Sequence, residues 1–350
     1  MSFVGRHVLS IDPFSRADLE ALRALATRLE PVAQRKVRCH ALEGAVLANL
    51  FFEASTRTRM SFHTAFSRLG GSVCDTTGFT FSSISKGESL ADTARVIAGY
   101  ADAIVMRHPE QGSVAQFAEH IQVPVINAGD GAGEHPSQAL LDYYTISAEF
   151  DRLGKTIDGM TIAMVGDLKH GRTIHSLSKL LALFERITFH FIAPHALRAP
   201  DALVEMLREK GHTVTIFDSV GAGIADADVL YATRIQKERF GTEEAPEGYS
   251  EQFRINRQTI DRYAPSDVVI MHPLPRDSRE GAFDLATDLD SAPQLAIFRQ
   301  TDHGVTMRMA IFAAVLGVAD NIEQYFSEQR GFRPTRYSEL DAPFYTLNKD

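Results

Sequence analysis

The chain has 350 residues, 44% of them hydrophobic and 23% charged, and a formal net charge of −9. That length suits two domains rather than one small core, and an acidic chain without a basic block is not built to bind nucleic acid. No apolar run is long enough to span a bilayer, the opening Met1-Ser-Phe-Val-Gly-Arg6 carries no signal-peptide core, and the two cysteines, Cys39 and Cys74, show no metal-ligand or disulfide spacing, so a cytoplasmic protein without a metal is expected.

In chain order, apolar periodicity predicts a helix over 16–29, a strand over 45–52 and a helix opening at Ser55. A helix over 88–100, a strand over 103–107, a helix over 113–120 and a strand over 123–127 follow. Gly129-Asp-Gly-Ala-Gly133 then leads into His135-Pro136-Ser-Gln138, where Pro136 suits the first position of a long helix bridging two domains. The second half repeats the scheme, with strands over 160–166, 187–193, 214–218, 229–233 and 268–272 and helices over 172–184 and 202–210. Such alternation predicts an α/β chain of two doubly wound domains, each with a central parallel sheet flanked by helices. The boundaries are expected at 1–136 plus 304–350 for one domain and 137–303 for the other. Residues 241–248 read as an exposed loop, and the tail after about Asn321 has no periodicity that predicts an element.

Five constellations carry chemistry. Ser55-Thr56-Arg57-Thr58-Arg59 stands where a buried strand meets a helix, so first-turn N–H groups, hydroxyls and a guanidinium converge on one point. A phosphate would fit there, with Arg57 forking onto a phosphoryl oxygen; a well-capped helix with surface arginines is the alternative, which five such residues in a row disfavour. Arg59 turns away on the helix and is expected to serve a structural salt bridge. Thr80-Phe-Ser82-Ser-Ile-Ser-Lys86-Gly87 is a Ser/Gly-rich loop with one lysine. Arg107 closes a strand, and His135 with Gln138 opens the next helix; Arg107, His135 and the Thr58 hydroxyl suit an oxyanion, and the Gln138 amide oxygen suits an NH2 group. Arg172 with Thr173, and Arg234 with Gln236, follow two further strands and suit a dicarboxylate. A nucleotide loop is the alternative for Gly166-Asp167, but no Gly-x-Gly-x-x-Gly follows the strand. His272-Pro273-Leu274-Pro275-Arg276 offers the carbonyls of Leu274 and Pro275 as acceptors for an amine.

These motifs, spread over residues 40–320 in one order, resemble the aspartate and ornithine carbamoyltransferases. The resemblance implies transfer of a carbamoyl group from carbamoyl phosphate to the α-amino group of L-aspartate in pyrimidine synthesis, with no cofactor. It implies a carbamoyl-phosphate domain first and an aspartate domain second. Ser55, Thr56, Arg57, Thr58, Arg107, His135, Gln138, Ser82, Lys86, Leu274 and Pro275 are then the carbamoyl-phosphate set, with Arg57, Thr58, Arg107, His135 and Lys86 catalytic. Lys86, Arg172, Thr173, Arg234 and Gln236 are the aspartate set. The resemblance further implies that Ser82 and Lys86 reach a neighbouring subunit's site, and hence a homotrimer. The family's basic residue before that lysine is Ser85 here, so one loop charge is missing. Ornithine enzymes carry Cys where this chain has Pro273, which favours aspartate. A different amino-acid acceptor and a non-enzymatic scaffold are the alternatives; the intact phosphate motif stands against the second. Glu53 is expected to bridge to Arg172 or Arg239. His170 stands where the enteric-type chain has Tyr, which argues against allostery of that type. Regulatory chains and a dihydroorotase-like partner both stay open as additions to the trimer.

Overall fold

The computed structural model describes residues 3–78, 87–234, 253–277 and 284–329. They form two compact units, the chain dividing after Tyr144 and again before Asp302. The first break lies inside the helix Pro136–Leu153, later than the boundary expected at 136/137. Its first turns belong with the N-terminal unit for a physical reason: Tyr144 donates to Glu30 Oε1 at 2.5 Å and meets the His303 ring edge-on, 5.0 Å between centroids.

The N-terminal unit is built on a parallel sheet of β2 (Val46–Phe51), β3 (Ser72–Thr77), β4 (Ala103–His108) and β5 (Val125–Asp130), in the order β3-β2-β4-β5. Every residue of β4 and β5 is buried, as in strands covered on both faces, and each opens on apolar residues, Ala103-Ile-Val-Met106 and Val125-Ile126. β3 is an edge strand, Ser-Val-Cys-Asp-Thr-Thr, too polar to announce itself. The helix Arg16–Ala33 starts at a capping box in which Ser15 and Asp18 bond each other's backbone N–H, and it buries Leu19, Leu22, Leu25, Ala26 and Leu29. Each leucine so buried contributes about 1.5–3 kcal/mol relative to exposure. The tail is more ordered than its sequence suggests: a 3-10 turn at Ile322–Tyr325 runs into β11 (Phe326–Glu328), which pairs antiparallel with β1 (Val37–Cys39). Arg28 holds that turn through both nitrogens of its fork on Glu323.

The C-terminal unit contains β6 (Thr161–Val165), β7 (Thr188–Ile192), β8 (Thr213–Phe217), β9 (Val229–Ala232) and β10 (Val269–Met271), all parallel, in the order β10-β9-β6-β7-β8. Its core gathers Val165, Ile192, Leu230, Ile255, Ile270, Leu285 and Ile297. Both sheets reverse direction once. From β2 the chain goes to β3 on one side and then to β4 on the other; from β6 it goes to β7 and later to β9. Open parallel sheets bind ligands at such reversals, beyond the carboxyl ends of the strands.

Candidate active site

In the N-terminal unit the reversal brings the phosphate motif and Arg107 together. Phe51 is the register partner of Arg107, and Phe52 N donates to Arg107 O at 2.9 Å, so the residues leaving β2 lie beside the end of β4. Ser55 is the N-cap of the helix Thr56–Arg68, with extended backbone, but its hydroxyl makes no capping bond. The first-turn N–H groups have no partner within the helix, and the cap hydroxyl does not spend itself on them, which leaves both for an anion. Thr56, Arg57 and Thr58 are the first three residues of that helix. Arg57 is exposed overall, yet enough protein surrounds its guanidinium to pull its pKa below the ordinary value through desolvation. An anion beside the guanidinium would relieve that cost.

Arg107 is buried, donates to Ala128 O at 3.2 Å and has its Nε 2.9 Å from Glu53 Oε2, an ion pair not aligned as a hydrogen bond. Glu53 thus has a partner in an arginine of its own unit; Arg239, one of the two arginines expected to meet it on domain closure, lies outside the described residues. Arg59 has no ion pair among the described residues; its carbonyl accepts from Asn49 Nδ2 at 3.3 Å. The loop from β5 to the next helix is organised by Asp130, which the sequence reading missed: its carboxylate accepts from Gly112 N at 3.0 Å and Glu134 N at 2.8 Å. Gly131 has φ +54°, and a Cβ there would stand 2.5 Å from Pro109 O, so glycine is required where the loop crosses the end of β4. This delivers His135 and Gln138, both buried, at the start of the Pro136–Leu153 helix. His135 Nδ1 lies 3.3 Å from Ser137 Oγ, and Gln138 Nε2 donates to Asp142 Oδ1 at 2.9 Å.

In the C-terminal unit, Arg172 opens the helix Arg172–Leu181 after β6, with Thr173 next to it, and Arg234 follows β9. The two strands are neighbours, with Val165 opposite Ala232. Gly166, at φ +125°, allows their ends to close: a Cβ would stand 2.4 Å from Thr233 O. Asp167 then fixes the turn by accepting from His170 N at 2.9 Å. His175, behind it, is held below the usual imidazole range by burial, and its Nε2 lies 2.8 Å from Leu168 O. Leu274 and Pro275 follow β10, the neighbour of β9. Leu274 has φ +52°, an uncommon conformation for a non-glycine residue, and is held there by its N–H donating to His272 Nδ1 at 2.8 Å. Nδ1 is thereby the acceptor nitrogen, so Nε2 carries the proton toward Asp284 Oδ2, 3.0 Å away. Gln300 Oε1 accepts from His272 N at 2.9 Å. Ser82, Lys86 and Gln236 lie outside the described residues.

Two family models match the chain: "Aspartate/ornithine carbamoyltransferase, carbamoyl-P binding domain" over residues 6–148, and "Aspartate/ornithine carbamoyltransferase, Asp/Orn binding domain" over residues 158–315. The aspartate carbamoyltransferase catalytic subunit of Dichelobacter nodosus is 72% identical over 99% of this chain and 100% of its own length. Among solved structures, aspartate transcarbamoylase from Trypanosoma cruzi in complex with carbamoyl aspartate and phosphate superposes with a TM-score of 0.80 at 40% identity, covering 90% of this chain and 97% of that one. The catalytic subunit of M. jannaschii aspartate transcarbamoylase gives 0.81 at 42% identity, over 90% and 99%. The motifs, the two sheet reversals that gather them and these likenesses agree: the chain belongs to the aspartate carbamoyltransferase catalytic chains of the aspartate/ornithine carbamoyltransferase family.

Proposed function

We infer that this chain transfers the carbamoyl group of carbamoyl phosphate to the α-amino group of L-aspartate, giving N-carbamoyl-L-aspartate and phosphate. The observation that carries the reading is the placement of an anion cradle at one sheet reversal and of two arginines, Arg172 and Arg234, at the other. The relatives named above, with carbamoyl aspartate and phosphate bound in one of them, support it.

In this reading Ser55, Thr56, Arg57 and Thr58 receive the phosphate, while Arg107, His135 and the Thr58 hydroxyl face the carbonyl oxygen, where negative charge grows as the amine attacks. Gln138 accepts from the carbamoyl NH2. Arg172, Arg234 and Gln236, supported by Thr173, hold the two carboxylates of aspartate, and the carbonyls of Leu274 and Pro275 accept from its α-amino group. The substrates bring together roughly four negative charges, which the cations of the site must offset. Ser82 and Lys86 come from a neighbouring subunit, so the working unit is a homotrimer. The N-terminal unit serves as the carbamoyl-phosphate domain and the C-terminal unit as the aspartate domain. The reaction serves pyrimidine synthesis in the cytoplasm; no described helix is long and apolar enough to cross a membrane.

The test is an acceptor screen. Purified protein with carbamoyl phosphate should release phosphate with L-aspartate and not with ornithine; turnover of ornithine, or of neither, overturns the reading. The native mass measured on the same sample tests the trimer.

A further inference from the structure

Gln138 and Asp142 stand one turn apart on the same face of the Pro136–Leu153 helix. Gln138 Nε2 donates to Asp142 Oδ1 at 2.9 Å, and Asp142 is fully buried. An ionised carboxylate offers acceptors only, so this bond can be made one way: the amide NH2 faces Asp142, and Oε1 turns from it. The opposing charge comes from the far end of the fold. Arg308, on the helix Ile297–Val315, is 3% exposed and feels the Asp142 charge. Its guanidinium carbon lies 4.7 Å from the centre of the Phe62 ring, a cation–π contact, and Phe62 belongs to the helix whose first turn is the phosphate cradle. Gly304, one turn before Arg308, leaves room for the guanidinium; a Cβ there would stand 2.6 Å from Arg308 Nη1. Burial pushes Arg308 down to about 10, which still leaves it charged at neutral pH.

We propose that Asp142 and Arg308 are positioning residues for carbamoyl transfer: Asp142 fixes the Gln138 amide so that Oε1 meets the carbamoyl NH2, and Arg308 sets a buried positive charge against Asp142 beside Phe62 of the cradle helix. This rests on the reading of Gln138 as the acceptor for that NH2. A flipped amide would set NH2 against NH2, leaving two donors opposed in a buried site. Neither residue touches the reacting atoms; both act through Gln138.

A double-mutant cycle tests this, with kcat, KM for carbamoyl phosphate and Tm measured for Gln138→Ala, Asp142→Ala and the pair. Asp142→Ala should lower kcat/KM for carbamoyl phosphate about tenfold, a typical loss for an orienting partner. In the Gln138→Ala background the same change should cost less than about twofold, because its target is gone. Equal losses in both backgrounds, or an Asp142→Ala enzyme at wild-type rates, overturn the proposal. Should Asp142→Ala not fold, Asp142→Asn keeps the volume and lets the amide face either way; a loss of about threefold is expected with Gln138 present and none without it. Equal losses in both backgrounds again overturn the idea. A Gln138→Ala enzyme at wild-type rates overturns the reading of Gln138 itself.

Discussion

Arg107 shows how much of this site is set by single side chains. It is buried, fixed on one side by the Ala128 carbonyl and on the other by Glu53, so its guanidinium has little freedom left to lose when substrate binds. The Glu53 contact alters what one expects of that glutamate. From sequence, Glu53→Gln should weaken aspartate binding through Arg172 or Arg239; with Arg107 as the observed partner, it should loosen the oxyanion donor instead. Expected is a fall in kcat of about tenfold with KM for aspartate within about twofold of wild type. Steady-state kinetics decide, and a change confined to KM for aspartate would return Glu53 to the acceptor side. Arg57 is a simpler case. Arg57→Ala removes the fork on the leaving phosphate and should cost about 100-fold or more in kcat/KM for carbamoyl phosphate, whereas Arg57→Lys keeps a charge and should recover only part of it.

At the scale of elements, what was legible in the sequence follows from burial and locality. β4 and β5 were legible because each opens on buried apolar residues, and the helix at Thr56 because a strand ended and a cap began within four residues. β3 was missed because an edge strand carries polar residues, and β1 with β11 because three-residue strands paired across most of the chain leave no periodic trace. The candidate site shows the same split: the residues proposed to meet ligands came from motifs, while their hydrogen-bonding and charge partners, Asp130, Asp142, Asp284 and Arg308, sit in stretches whose meaning depends on folded neighbours. Asp142 alone left a signal, its four-residue spacing from Gln138.

The turn after β10 gives an element-scale prediction. His272 bonds Leu274 N through Nδ1 and Asp284 through Nε2, and asparagine and glutamine reach those two positions separately. His272→Asn, whose amide oxygen sits near Nδ1, should keep the Leu274 bond and stay within about threefold of wild type in kcat/KM for aspartate. His272→Gln keeps the Asp284 contact and loses the Leu274 bond, so about tenfold or more should be lost. Tm measured on both separates positioning from stability: both break one buried bond, so similar melting with unequal kinetics is expected, and equal kinetics would deny the turn a role in binding.

For the whole molecule, stability should decline on acidification in two stages. His7, His108 and His175 are all held below the usual imidazole range by burial, and His7 and His108 each accept a backbone N–H at Nδ1, from Val125 and Glu110, which requires the neutral ring. The unfolded chain takes up these protons near pH 6.5 and the folded chain only at lower pH, so folding stability falls as pH drops through that window. Glu149 supplies the second stage. Burial by itself would raise its pKa, but Arg299 and Arg152 outweigh that and hold it below the usual carboxylate range. With a folded pKa below the unfolded value, its contribution is fully present above about pH 4.5 and is lost as pH falls through the folded pKa. Both stages have the same sign, with a ceiling of about 1.4 kcal/mol per pH unit for each proton bound only by the unfolded chain, and less for the partly exposed imidazoles. Tm recorded from pH 8 to pH 4 should therefore hold nearly level above 7, slope down as pH falls below about 6.5, and steepen below about 4.5. His175→Gln should flatten the first slope, and a Tm flat from pH 7 to 5.5 would refute the histidine stage. Glu149→Gln strips buried Arg299 and exposed Arg152 of their shared carboxylate, so at pH 7 it should destabilise by about 3 kcal/mol, chiefly through Arg299, and that deficit should shrink as acid protonates Glu149 in the wild type.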